Sequence, residues 1–142
     1  MSGPNIQQHS QLLINLLGLQ TKLHKCLDSS LSYLGISVTE FLVMLHLSNS
    51  PNKKMRRIDL AEKIGLTASG VTRLLNPMQK IGLVEKEESV RDARVSLVKL
   101  TSAGEKMFED AERSVNVVSE SFLEPLSKSQ RDSLWGAIEN LR

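Results

Sequence analysis

Residues 57–76 read RIDLAEKIGLTASGVTRLLN, two short segments with helical apolar spacing joined at a glycine. A helix-turn-helix unit packs two helices at a steep angle through a tight turn, so it needs a small residue at the contact, a glycine at the turn and an apolar anchor on the second helix. Ala61, Gly65 and Val71 have these properties, at steps of four and six residues. Leucines occupy the remaining inward positions, at Leu60, Leu66 and Leu74. The stretch therefore predicts a helix-turn-helix unit.

The second helix of this unit, predicted over 68–80 with Thr67 as its N-cap, keeps a polar face when its apolar residues point inward. Small residues at its start allow it to enter the major groove of double-stranded DNA, where Arg73 can bond guanine or a phosphate and Asn76 can bond adenine. Pro77 removes a backbone hydrogen bond and therefore predicts a kinked or shortened helix. For any one side chain, a solvated helix face is the alternative. The residues predicted to face DNA are Ser69, Gly70, Thr72, Arg73 and Asn76.

A β-hairpin is predicted directly after this helix, because an extended segment starting at Leu83 and a period-two segment over 94–100 flank a polar turn. Such a hairpin is the wing of a winged helix. Arg91 and Arg94 lie near its tip, and an arginine on a flexible tip suits the narrow, strongly negative minor groove. Asp92 repels phosphate, so its predicted role is to orient Arg94 through a charge-assisted hydrogen bond. An incidental ion pair on a solvated turn is the alternative.

The positive charge of the chain is concentrated in its middle. Residues 52–99 carry eleven lysines and arginines against six acidic residues, a net +5, whereas the rest of the chain carries −3. A basic middle between acidic flanks indicates that the middle binds a polyanion, although an unevenly solvated surface is the alternative for charge alone. Lys53, Lys54 and Arg57 belong to the first basic run and are predicted to bind DNA, with Lys53 as a phosphate contact.

Amphipathic helices are predicted on both sides of this middle, over about 7–33 and about 102–122, with a last helix after the capping pair Ser127 and Gln130. The leucines of the first helix spread wider than one core-facing stripe requires, which favours burial against a second copy of the chain. The predicted fold is mainly α with a small β-hairpin wing: a winged helix-turn-helix flanked by N- and C-terminal dimerisation helices. Its parts, within one compact domain, are an N-terminal dimerisation helix (1–36), a winged helix-turn-helix DNA-binding region (37–101) and C-terminal dimerisation helices (102–142).

The composition argues against several other classes of protein. A single cysteine, Cys26, cannot form an intramolecular disulfide framework or a CxxC metal site, and the three histidines are scattered, so no metal and no cofactor are expected. The sequence contains no glycine-rich phosphate loop, nucleophile elbow or paired-carboxylate arrangement, so no catalytic residue and no enzyme activity are expected. The sequence shows no apolar run of membrane-spanning length and no secretion signal. We therefore expect a cytoplasmic location and no membrane partner.

Several short motifs occur along the chain in an order and spacing that resemble the MarR family of multiple-antibiotic-resistance-type regulators. They are Leu34-Gly35-Ile36-Ser37, Leu60-Ala61, Arg73-Leu74-Leu75, Gly82-Leu83-Val84, Asp92-Ala93-Arg94 and Leu100-Thr101-Ser102-Ala103-Gly104. The resemblance covers nearly the whole chain. It implies a ligand-responsive repressor that binds a palindromic operator as a homodimer joined by its terminal helices, often with a small-molecule effector pocket between the dimerisation and DNA-binding parts. Ala93 stands where the family often has a second basic residue, which implies a weaker minor-groove contact.

Two alternatives to a ligand-responsive repressor remain open at this point. One is a redox-responsive regulator that uses Cys26, although the resemblance implies that peroxide-sensing relatives carry their cysteine near the start of the first helix, whereas Cys26 lies near its end. The other is a winged-helix module that binds only proteins. Arg73 and the basic wing disfavour that module, because protein binding alone does not require them.

Overall fold

The computed structural model describes residues 6–142, and within them it contains six α-helices, two short 3-10 helices and three short strands. The helices lie close to the predicted ranges, and the recognition segment 68–80 is helical over its whole predicted length. The elements are α1 (Ile6–Leu31), α2 (Val38–Ser48), β1 (Lys54–Arg56), α3 (Arg57–Ile64), α4 (Ala68–Lys80), β2 (Val84–Glu88), β3 (Ser96–Leu100), α5 (Ser102–Leu123) and α6 (Lys128–Leu141).

Hydroxyl side chains determine where several helices begin. Ser37 and Ser127 each form a capping box at the start of α2 and α6, and Thr67 and Thr101 accept a backbone N–H at the start of α4 and α5. Each cap satisfies an amide that the first helical turn leaves without a partner. Gly65 ends α3 in a left-handed conformation with φ of 69°, which favours glycine. The caps predicted at Thr67 and at Ser127 with Gln130 are confirmed.

The core lies where α2, α3 and α4 pack against the small sheet and the first half of α5. Met44, Leu47 and Leu75 have no exposed surface. The ring of Phe41 stacks on Phe108 of α5, with ring centroids 5.6 Å apart, so that α5 is packed onto the winged helix. The other fully or nearly fully buried members include Leu31, Val43, Leu60, Val71, Met78, Val84, Val98 and Ala111.

Leu66 does not occupy the inward position that the sequence predicted for it. It remains 37% exposed, because it follows Gly65 in the turn between α3 and α4 instead of lying on a helix face. Its backbone N–H donates to the carbonyl of Ala61 at 2.9 Å, which closes the turn. The turn therefore needs the backbone of this residue more than its side chain.

The predicted wing hairpin is confirmed, and it has a third strand that the sequence did not indicate. β3 lies between β1 and β2 and is antiparallel to both, so the order is β1-β3-β2. The register places Lys54 opposite Lys99, and Val84 opposite Leu100. A three-residue basic edge strand is too short to show period-two alternation, and its pairing partner lies far along the chain.

The N-terminal part of α1 and all of α6 expose apolar side chains. Only the last turns of α1 enter the core, where Leu31 is fully buried, and every residue of α6 is exposed. Trp135 is 73% exposed and Leu17 is 67% exposed. The exposed apolar residues are Leu12, Leu13, Ile14, Leu16, Leu17, Leu19 and Leu23 on α1, and Leu134, Trp135, Ile138 and Leu141 on α6. These two helices therefore present an apolar surface that one chain does not cover.

Candidate nucleic-acid interface

The helix α4 presents a polar face to solvent. Its inward face buries Val71, Leu75 and Met78, as the apolar spacing predicted. Of the residues predicted to face DNA, Ser69, Thr72, Arg73 and Asn76 are exposed on the opposite side, and Gly70 is half-buried. Pro77 lies inside the helix without shortening it, and α4 continues to Lys80. An exposed polar face on a helix-turn-helix has the shape and chemistry of a helix that enters a DNA groove.

Arg57, the first residue of α3, is joined to this face. Its Nη2 donates to Oγ1 of Thr72 at 2.7 Å, and the Thr72 hydroxyl lies 3.2 Å from the carbonyl oxygen of Ala68. The structure thus brings together two residues, fifteen apart in the chain, that the sequence predicted for the same surface. The bond holds a guanidinium beside the middle of α4, where it adds positive charge to the polar face.

Arg56 is a second arginine at this end of α3, and the sequence analysis did not select it. Its Nε and Nη2 donate to the two carboxylate oxygens of Asp59 at 2.9 and 3.0 Å. These hydrogen bonds lower the pKa of the Asp59 carboxyl below its ordinary value. The three-residue spacing at a helix start could have indicated this pair from sequence.

The wing tip carries the two other predicted arginines. The side chain of Arg94 is 93% exposed, and its backbone N–H and its Nε lie 3.0 and 3.3 Å from Oδ1 of Asp92. Arg91 is exposed, and its backbone N–H donates to Oγ of Ser89 at 3.3 Å. The contact between Asp92 and Arg94 has the geometry that an orienting role requires, and that role stays a prediction.

Lys53 and Lys54 lie close to carboxylates of the protein. Nζ of Lys53 forms an ion pair with Glu105 of α5, and Nζ of Lys54 is 3.3 Å from Oε1 of Glu87 on β2. Lys53 therefore lies beside the first turn of α5, and the side chain of Lys54 lies against β2, so both lysines are paired with carboxylates of the protein.

A cavity of about 660 Å³ lies between α3, α4 and β3, next to the polar face of α4. Its floor is apolar, from Ala61, Leu66 and Val71. Its rim is basic, with the three arginines Arg56, Arg57 and Arg94. Such a site suits a small molecule that combines an apolar body with a negative charge.

Other kinds of site receive little support from residues 6–142. No three histidine, cysteine, aspartate or glutamate side chains in this range are placed to hold a metal ion. Cys26 is half-buried on α1. No single helix in the described range is long and apolar enough to cross a membrane, although the pair 7–34 and 38–48, bent by 80°, meets the test together on length and composition alone.

Several proteins resemble this chain in sequence and in structure. A family model described as "MarR family" matches residues 34–95. An uncharacterised HTH-type transcriptional regulator of Bacillus subtilis, YfiV, is 29% identical over 108 residues, which cover 76% of this chain and 66% of that protein. The transcriptional repressor MprA of Escherichia coli is 24% identical over 116 residues, covering 82% of this chain and 66% of its own length. The chain thus matches just under two thirds of the length of these relatives.

The structural comparison extends the likeness to the terminal helices. A crystal structure of a mutant MarR from Escherichia coli complexed with operator DNA superposes with a TM-score of 0.84 at 21% identity, covering 97% of this chain and 99% of that one. The fold match includes α1, α5 and α6, which lie largely or wholly outside the range of the family model. The family model, the relatives and the fold agree in one likeness: the chain is similar to the MarR family and has the winged helix-turn-helix fold of its members.

Proposed function

We propose that this chain is a sequence-specific DNA-binding transcription regulator that binds a palindromic operator as a homodimer and acts as a repressor. The polar face of α4, flanked by Arg57 and Arg94, is the observation that carries the proposal. The net charge of +5 over 52–99 supports a polyanionic partner. A relative named as a repressor, and a structural neighbour complexed with operator DNA, support the same assignment.

Direct contacts with DNA are proposed for the residues around α4 and the wing. Within α4 they read base edges in the major groove, while the wing arginines reach the minor groove or phosphates. The proposed contact residues are Ser69, Thr72, Arg73, Asn76, Arg57, Arg91 and Arg94. Lys53 and Lys54 are left out, because their ion pairs with Glu105 and Glu87 favour another role.

The homodimer is proposed to form through the parts 1–36 and 102–142, with 37–101 as the DNA-binding region. The exposed apolar side chains of α1 and α6 support this division, because large apolar surfaces are normally covered by a partner. A two-fold axis would bury the same patch on both copies. It would also place two α4 helices about 34–36 Å apart, one turn of DNA.

A small-molecule effector is part of the same proposal. The cavity of about 660 Å³ beside α4 is within the usual size range of ligand sites, about 300–1,000 Å³. It shares Arg57, Thr72 and Arg94 with the proposed DNA surface. A ligand bound there would therefore compete with DNA for the same side chains.

We also propose that the protein acts in the cytoplasm and has no catalytic activity. The likeness to a family of transcription regulators supports both statements. The single cysteine, Cys26, is consistent with a reducing compartment.

Selection of bound duplexes from a random pool tests the class of function. We expect a palindrome, and an affinity that falls linearly with salt on logarithmic axes, because neutralised phosphates release counterions. A binding constant that does not change with salt would remove the DNA-binding claim. A pool without enrichment would remove the sequence-specific part of it.

The substitution Arg73→Ala tests the role of α4. We expect the difference in binding free energy between the selected operator and random DNA to shrink by about 1–3 kcal/mol, since a base-reading arginine is lost. Lys128→Ala is the matched control, because it removes one positive charge from the exposed surface of α6. Equal specificity ratios for the two variants would show that Arg73 is not a base reader.

A further inference from the structure

The start of α5 touches the winged helix at very close range. A Cβ atom at position 104 would overlap the carbonyl oxygen of Leu83 and would lie 2.5 Å from Cδ1 of Leu100. Only glycine fits at position 104, because any larger residue would collide with these atoms. The backbone conformation of Gly104 is not the reason. The first turn of α5 is seated directly on the backbone that leads into β2.

Hydrogen bonds of Thr101 connect the first turn of α5 to the segment 82–83. Its Oγ1 donates to the carbonyl of Gly82 at 2.5 Å and accepts the N–H of Gly104 at 3.0 Å. Its own N–H donates to the carbonyl of Leu83 at 3.1 Å. One residue thus caps α5 and ties its start to the segment 82–83.

The segment 82–83 is also where the recognition helix α4 ends. The N–H of Leu83 donates to the carbonyl of Met78 at 2.9 Å, and the N–H of Gly82 donates to that of Gln79 at 3.1 Å. The C-terminal end of α4 and the N-terminal end of α5 therefore bind the same two residues. A displacement of α5 that carries this segment with it must therefore move the end of α4 as well.

Lys53, in the turn before β1, also contacts the first turn of α5. It follows Asn52, and the two have φ of 57° and 56°, a left-handed conformation that is uncommon for residues other than glycine. The N–H of Lys53 donates to the carbonyl of Ser50 at 2.9 Å, which fixes the turn, and its Nζ forms the ion pair with Glu105. The turn before β1 thus presents a lysine to the first turn of α5.

We propose that Lys53, Thr101, Gly104 and Glu105 form a junction, called here the α5 junction, that fixes the orientation of α4 relative to the dimer and so sets the half-site spacing that the protein accepts. The inference rests on the proposed function, since it requires a dimer that binds two half-sites. Lys53 is then a positioning residue and not a phosphate contact. Its ion pair is half-exposed, so its loss changes geometry more than folding stability.

Operators with altered half-site spacing test the junction. Starting from the selected palindrome, one or two base pairs are inserted or removed between the half-sites, and the affinity of the full-length chain is measured for each. We expect the wild type to discriminate sharply between spacings. Lys53→Ala and Glu105→Gln should each reduce that discrimination by about two- to five-fold, the effect of losing one surface ion pair.

Two further variants separate this role from its alternatives. The exchange Lys53→Glu with Glu105→Lys should restore the wild-type spacing profile, because it rebuilds the pair with opposite polarity. Thr101→Val should broaden the profile more than Lys53→Ala does, since it removes the hydroxyl tie. Far-UV circular dichroism and sedimentation of each variant establish that it is folded and dimeric before its profile is compared.

Three results would overturn the inference. In the first, Lys53→Ala weakens binding equally at every spacing and reduces the slope against log salt by about one, as loss of a phosphate contact does. In the second, all variants keep the wild-type profile. In the third, the wild type itself binds no duplex DNA, which would overturn the proposed function with it. The first two results leave the proposed function intact.

Discussion

The winged helix buries its large apolar side chains within the chain, whereas the terminal helices α1 and α6 leave many of theirs exposed. In the winged helix, Met44, Leu47 and Leu75 are completely enclosed by the chain itself. On α1 and α6, Leu17 and Trp135 expose most of their surface. If the proposed dimer covers α1 and α6, burial within one chain and burial between two chains are separable, and stability and association can be altered independently.

The winged helix and the terminal helices also differ in charge. The residues 52–99 carry +5 and the remainder carries −3. Binding to DNA would therefore depend on salt, whereas contact between apolar helices would not depend on it to the same degree. Substitutions in the two regions should produce effects of different kind as well as size.

The largest expected effect comes from opening the core of the winged helix. Leu47→Ala should reduce the free energy of unfolding by about 2–5 kcal/mol, because Leu47 has no exposed surface and its truncation leaves a cavity. Denaturant unfolding at fixed protein concentration measures the change. Val90→Ala on the exposed wing turn is the control, and a loss for Leu47→Ala no greater than the control's would contradict the packing described here.

Removing the tryptophan of α6 should affect association instead of folding. Trp135→Ala should weaken the dimer by about 2 kcal/mol, the usual cost of truncating an aromatic residue at the centre of an interface. Sedimentation equilibrium measures the dissociation constant. Ile81→Ala is the matched control, because Ile81 is an exposed apolar residue of the winged helix, 60% accessible. If the unmodified chain sediments as a monomer at micromolar concentration, the proposal that a second copy covers α1 and α6 is wrong.

Charge removal sharpens the comparison further. Arg94→Ala should weaken DNA binding by on the order of tenfold and reduce the slope against log salt by about one, because an arginine that contacts the minor groove or a phosphate is lost. Arg131→Ala removes the same charge from α6. Equal salt slopes for both variants would mean that the wing does not reach DNA.

The smallest expected effect is a pH dependence located in the winged helix. Burial, and then the positive charge of Lys63, lower the pKa of His46 from its ordinary 6.5. The unfolded chain therefore binds more protons below this pH, and stability should fall as the pH decreases through about 6.5. His46→Gln should remove this component, and Lys63→Ala should reduce it. A wild type whose stability, measured relative to His46→Gln, is unchanged or rises with acidification would contradict the assignment.

Much of the fold was predictable because its signals are local. Apolar spacing and hydroxyl caps such as Ser37 and Thr67 lie within a few residues of the helices that they start, so they are visible in the sequence. The strand 54–56 was not predictable, because three residues are too few to show a period-two pattern and they pair with β3 more than forty residues later. Long-range pairing of this kind leaves no mark in a single sequence.

The candidate interface shows the same limit. The polar residues of α4 could be selected because helical spacing separates them from Val71 and Leu75. The partners of Lys53 and Lys54 could not be selected, since Glu105 and Glu87 are distant in sequence. From the basic run alone both lysines were predicted to bind DNA, with Lys53 as a phosphate contact. The contact between Arg57 and Thr72 likewise emerges only when α3 and α4 are folded together.

The uncovered leucines of α1 also have a consequence for the amount of protein that a cell must keep. If association buries them, dilution removes a stabilising contribution from every chain, since a partner that binds only the folded state raises its stability by mass action. Scarce copies would then be easier to unfold and degrade as well as slower to find a partner. The abundance of the protein would be self-reinforcing, with a threshold concentration below which it disappears faster than it accumulates.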